Sequence, residues 1–161
     1  MTWVQTPFAM FPLVEVPHKV IESIFKEGPR IAGVYCYTLA PEKYEDAPQR
    51  KDQHFEGQKP PVPSDYKSPF LGKTVEDVAK WMRKKPESVN FDDHHFVLLD
   101  KRAEKDGTVI VCRIGGMLLD EPEDLDYMRK SAFEASAMLQ GMNYAHWEER
   151  EREPGKPEIE Y

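Results

Sequence analysis

The sequence predicts a single α/β (α+β) domain, with a three- to four-stranded, mostly antiparallel sheet packed by three to four helices. Two observations carry this reading. Apolar runs of strand length, Arg30–Leu39, His95–Asp100 and Thr108–Ile114, alternate with segments of helical period. A chain of 161 residues suits one core rather than two, and buries roughly 70% of the surface its unfolded form exposes. The domain is expected over residues 17–152, with an N-terminal apolar arm at 1–16 and a flexible tail at 153–161.

The arm carries Trp3, Phe8, Met10, Phe11 and Leu13 without regular spacing, and reads as extended chain laid on the domain. Pro17 to Glu27 reads as a short helix. Proline suits a first turn, and Val20, Ile21, Ile24 and Phe25 give it one apolar face. Gly28-Pro29 is a stop signal. Arg30–Leu39 is apolar on both faces, as expected of a central strand covered on two sides.

Ala40–Lys73 is a long proline-rich insertion loop holding Pro41, Pro48, Pro60, Pro61, Pro63 and Pro69. Loops beyond about 12–15 residues are uncommon in compact domains and are usually functional or disordered. Its aromatics Tyr44, Phe55, Tyr66 and Phe70 are spaced to pin it at intervals. Thr74 and Asp77 form a capping-box signature, with Asp in place of the usual Glu. The helix they open buries Val75, Val78, Ala79 and Met82 and ends at Pro86.

His95–Asp100 and Thr108–Ile114 are close enough to pair as an antiparallel hairpin, with Asp106-Gly107 as the turn signal. Gly115-Gly116 reads as a plain turn without a phosphate-loop context. Met117–Ser131 fits a fourth strand or a helix. Ala132–Gln140 is helical, Gly141 ends it, and Tyr144–Arg152 forms a last solvated helix before the tail.

Composition excludes several classes of function. A formal net charge of −7 argues against a nucleic-acid surface, which needs a basic stripe. Arg83-Lys84-Lys85 sits where cations complement a helix dipole. There is no charged leader before an apolar core and no apolar run of membrane length, so a cytoplasmic chain with no membrane partner is expected. Cys36 and Cys112 lie in apolar runs and read as reduced packing residues.

Asp92-Asp93-His94-His95 is the most chemical-looking stretch. Residues two apart share a face of a strand, so Asp92–His94 and Asp93–His95 are the candidate His–carboxylate pairs for acid–base work. A metal there would need remote ligands such as His54 or His146, and none is expected. Asp100 ends an apolar strand, where ligands favour α/β sheets, and is the best single functional carboxylate. Tyr35, Tyr37, Tyr66, Phe70, Trp81 and Tyr144 are the candidate lining of a pocket for a flat apolar ligand. Trp81 falls off the apolar stripe of its helix, at the core rim or at an interface. No nucleophile elbow or zinc-protease motif occurs.

The strings Gly72-Lys73-Thr74-Val75-Glu76-Asp77-Val78, Phe96-Val97-Leu98-Leu99-Asp100 and Asp106-Gly107-Thr108-Val109 resemble a family of small α/β domains of unknown function. That family is found in bacteria and filamentous fungi, and the likeness runs from about residue 20 to residue 151. It implies a single α/β domain and carries no catalytic residue.

Without a catalytic motif, the leading expectation is a binding or protein-interaction module that works through the arm and the loop. Its partner is expected to be a protein or a small apolar molecule, with a homodimer possible and no cofactor. The alternative is a small cofactor-free enzyme, a lyase, isomerase or hydrolase. It would use His94 or His95 as base, with Asp92 or Asp100 orienting it or acting as acid.

Overall fold

The computed structural model describes residues 6–52, 56–115, 125–141 and 156–161. It has one five-stranded mixed sheet, in the order β2-β1-β3-β4-β5, with helices on both faces.

β1 is Phe8–Pro12 and β2 is Tyr37–Leu39. β1 pairs in parallel with β2 and with β3, which spans His95–Leu99. β4 (Thr108–Ile114) and β5 (Leu125–Ser131) continue the sheet antiparallel. The sheet is therefore larger and less antiparallel than expected, and the reason is β1. The stretch expected to be a surface arm is a central strand, with Ala9, Met10 and Phe11 wholly buried. Five residues apolar on both faces show no alternation, which is how a strand covered on two sides reads. Pro12 lies at the last position of the strand, and the neighbouring Leu13 N–H donates to Leu99 O at 2.8 Å.

The expected strand Arg30–Leu39 is corrected too. Helix α1 is His18–Phe25, and α2 resumes at Glu27–Ala32 instead of stopping at Gly28-Pro29. Pro29 falls in the first turn of α2, where no helical N–H is lost. The stop comes at Gly33, which caps α2 at φ 78°, a left-handed conformation that favours glycine. Only Tyr37–Leu39 remains as strand, next to β1 alone.

Helix α3 is Val75–Lys84, and its Thr74–Asp77 capping box is present with both bonds at 3.1 Å. The β3–β4 connection holds a short helix α4, Arg102–Asp106. α5 is Ala132–Gly141. One core joins α1, α4 and α5 to Phe8, Met10, Val97, Leu99, Val109 and Val111. The other packs α3 and the loop residues Ala47 and Phe70 on Ala9, Phe11, Phe96, Leu98 and Ile110.

The proline-rich loop is fastened to its own domain. Gly57 N–H and Gln58 N–H donate to Tyr35 O and Tyr37 O, both at 2.7 Å, so they cover the β2 edge. Tyr44 stacks on Trp81 with ring centroids 4.5 Å apart, and its hydroxyl donates to Trp81 O at 2.7 Å. Residues 156–161, expected to be loose, are tied down as well. Lys101 N–H donates to Glu160 O at 2.9 Å, Tyr161 Oη to Lys73 O at 2.7 Å, and Ile159 packs on the α3-side core. The Tyr144–Arg152 helix, residues 116–124, and His54 and His146 lie outside the described residues. Among the described residues no helix is long and apolar enough to cross a membrane.

Candidate functional site

The parallel half of the sheet has the spatial order β2-β1-β3. The chain leaves β1 toward β2 through α1 and α2, and leaves β3 toward β4 in the other direction. Loops that part in this way open a crevice outside the carboxyl ends of the strands.

A cleft of about 430 Å³ lies there, within the roughly 300–1,000 Å³ range of small-molecule sites. Its wall from the β1 exit is Pro12, Val14, Glu15, Val16 and Pro17; α1 adds His18 and Ile21. The loop supplies Tyr66, Lys67, Ser68 and Leu71, and α4 supplies Glu104. Aliphatic side chains make up half of this lining and polar or charged ones most of the rest, and Leu71, one of the aliphatic ones, stands 41% exposed. Glu15, Lys67 and Glu104 are exposed, and the first turn of α1 carries no side-chain cap and no acid.

Local bonds hold this wall in place. Ser68 Oγ donates to Pro12 O at 2.6 Å and accepts Phe70 N–H at 3.1 Å. Gly72 N–H donates to Leu13 O at 2.8 Å, and His18 Nε2 lies 3.2 Å from Tyr66 O. A second, more open hollow of about 350 Å³ adjoins the β2 exit. Leu39, Ala40, Pro41, Glu42 and Gln58 line it, together with Pro63, Tyr66, Lys67 and Pro69.

The Asp92–His95 pair sits at the other end of the sheet. Asp92 Oδ1 accepts His94 N–H at 2.9 Å and His95 N–H at 2.8 Å, and lies 3.2 Å from His95 Nδ1. The contact is thus three residues apart, not two, because Asp92 caps the turn that enters β3. Burial pushes its carboxyl up, but the His95 ring and the two N–H groups outweigh burial and hold it below the usual range. His95 is buried, and the buried His94 Nδ1 has no hydrogen-bond partner among the described residues. Neither histidine lines either hollow.

Asp100 is at the carboxyl end of β3, yet faces inward. It is wholly buried and takes both Arg129 nitrogens, at 2.6 and 3.1 Å, with Arg102 N–H and Glu160 N–H. Burial raises its carboxyl, and those four donors more than reverse this. All its acceptor capacity is used to join β3, β5, α4 and the last residues of the chain.

Of the aromatic set, Tyr66 alone among the described members lines a hollow. Tyr37 is buried with its hydroxyl 3.2 Å from Ser136 Oγ, and Tyr35 packs on the same core. Phe70 and Trp81 join Phe11 in edge-on contacts of 4.8 and 5.5 Å, an anchor for the loop on α3. Tyr144 lies outside the described residues. Cys36 and Cys112 are free and buried; burial pushes Cys36 up to about 12. No group of three or more His, Cys, Asp or Glu among the described residues fits a metal ion.

His18, Lys67 and Glu104 escape sequence reasoning. Pro17-His18 opening a helix directly after a strand is the signal, and it is readable only once Phe8–Pro12 is taken as that strand. No family model, curated protein or solved structure matches the chain.

Proposed function

We propose that this protein is a binding module for a small, largely aliphatic molecule, seated in the cleft where β1 and β3 end. The single observation that carries this is the 430 Å³ cleft at the parting of the strand connections, where Val14, Val16, Ile21 and Leu71 share the lining with Glu15, His18, Lys67 and Glu104. The described residues of the arm and loop are committed to the sheet and to the wall of the cleft, which favours a small ligand over a protein partner held by those segments. The enzyme reading draws on the 3.2 Å Asp92–His95 contact alone, at the end of the sheet away from the cleft.

Titration of 15N-labelled protein with 1-hexanol tests the reading. Saturable shifts confined to the amides of Val14, Val16, His18, Ile21 and Leu71 are expected. Leu71→Glu, at an exposed position, is expected to weaken binding without loss of fold. Absent or unsaturable shifts would overturn the reading.

A further inference from the structure

We propose that this chain forms a symmetric homodimer through the outer edge of β5, which pairs antiparallel with the same edge of a second copy. The two-fold axis passes at Met128, and Asp126 stands opposite Lys130 of the partner subunit. β5 contributes nothing to the cleft, so this pairing stands apart from the binding reading above.

The two edges of the sheet differ. At β2 the loop supplies Gly57 N–H and Gln58 N–H, whereas among the described residues no strand pairs with the outer side of β5. The ladder fixes which groups that side presents. Ala132 N–H donates to Gly107 O at 3.1 Å, one step beyond the Thr108–Ser131 pair. Bonded and non-bonded pairs alternate in an antiparallel ladder, so Asp126, Met128 and Lys130 turn their peptide groups toward β4. Leu125, Tyr127, Arg129 and Ser131 turn theirs outward. The far side of β4 agrees: Ile114 N–H donates to His94 O at 2.8 Å, which leaves Val109, Val111 and Arg113 to serve β5. Tyr127 N–H is met by Asp126 Oδ1 at 2.9 Å, a side-chain cap on an edge donor.

Charge selects both the occupant and the register. Outward residues must meet outward residues across the axis. With Met128 on the axis, Tyr127 meets Arg129 of the partner subunit and Leu125 meets the partner's Ser131, as hydrogen-bonded pairs. Asp126 then faces the partner's Lys130 in a closer, non-bonded pair, and symmetry makes this contact twice. Opposite charges placed so are favourable and like charges are not. An axis at Tyr127 would put Asp126 opposite Met128, and one at Arg129 would set two guanidinium groups against each other. Asp126 already lies 4.0 Å from Arg113 of its own chain. The partner's Lys130 would thus extend a row of alternating sign across the seam. The faces of β5 need not change. Met128 stays in the core on the α5 side, Tyr127 carries Lys156 on the other, and Arg129 keeps Asp100.

Sedimentation equilibrium of the full chain is expected to show monomer and dimer in exchange. Hydrogen exchange at the Tyr127, Arg129 and Ser131 amides is expected to slow as protein concentration rises, while Met128 and Lys130, already bonded to β4, stay unchanged. Lys130→Glu sets like charges across the seam twice, and is expected to weaken the dimer about tenfold or more. Asp126→Lys is expected to do the same. An equal mixture of the two variants restores both opposite pairs, and is expected to form a heterodimer as tight as the parent. Circular dichroism checks that each variant folds. If Asp126→Lys, beside Arg113, does not, Lys130→Glu and the exchange pattern still decide. A chain still monomeric at about 1 mM would overturn the proposal. So would a dimer with unchanged exchange at Tyr127 and Arg129, which pairs through another face, or an unchanged dissociation constant in Lys130→Glu. Dimerisation gained only in Lys130→Met would make these charges guards against edge pairing, and would overturn it too.

Discussion

Asp100 and Arg129 meet at 2.6 Å, with the carboxylate wholly excluded from solvent and the guanidinium nearly so. The pair crosses from the end of β3 to β5, and both partners also reach the last residues of the chain, Asp100 through Glu160 N–H and Arg129 through Glu158 O. A residue at the preferred ligand-binding end of a sheet is here a structural knot. The sequence shows the position of Asp100 but not its direction.

Breaking this knot is expected to be costly. Asp100→Asn leaves the Arg129 charge buried without a counter-charge, which costs about 3–5 kcal/mol. Urea unfolding monitored by circular dichroism measures it. A loss below about 1 kcal/mol would rank the pair with exposed ion pairs and contradict its burial.

Acid sensitivity follows from the same groups. Asp92 and Asp100 are both held below their ordinary range in the folded chain. Each therefore contributes stability that is fully present above the unfolded value of about 3.9, and is lost as pH falls through the folded value. Urea midpoints are expected to hold steady above about pH 5 and to drop steadily below about pH 4. Asp100→Asn is expected to flatten that slope. An equal slope in the variant would remove Asp100 from the acid response.

Gly57 is expected to tolerate no side chain. A Cβ there would lie 2.5 Å from both Tyr37 N and Tyr37 O, which are backbone atoms and cannot yield as a side chain would. Gly57→Ala is expected to cost about 1–3 kcal/mol and to loosen the segment that covers β2. Faster hydrogen exchange at Gln58, with a lower melting temperature, would register it. An unchanged exchange rate would contradict the close approach.

The thiols are expected to be silent in the folded state. Cys36 and Cys112 are buried, and burial raises both, Cys36 to about 12. Dithiodipyridine is expected to modify neither at pH 7 until denaturant is added, and then to titrate two thiols per chain. Rapid modification of the native protein would show that one of them is accessible.

Elements whose signal is local were readable from the residues. α3 has its capping box and apolar stripe, β3 and β4 are strands a short connection apart, and α5 starts at Ala132 as expected. β1 was not readable, because its five apolar residues take their meaning from partners far along the chain. Missing it moved β2 to the centre in expectation, and hid the crevice that β1 and β3 open together. Tyr66 was legible as an anchoring aromatic of the loop. Its place between two hollows depends on where β1 and β2 end, which no local pattern encodes. The Asp92–His95 stretch was legible as chemistry, but through the pairs Asp92–His94 and Asp93–His95 rather than the Asp92–His95 contact that forms, and its distance from the cleft is a property of the sheet alone.

The pairing of β1 with β3 also has a kinetic meaning. Residues 8–12 find their main neighbour only at residues 95–99, so the parallel half of the sheet cannot close by hairpin formation. The antiparallel units β3–β4–β5 can assemble locally and then serve as the template on which β1 docks, with β2 following at its far side. Such non-local closure slows folding relative to helical domains of the same size.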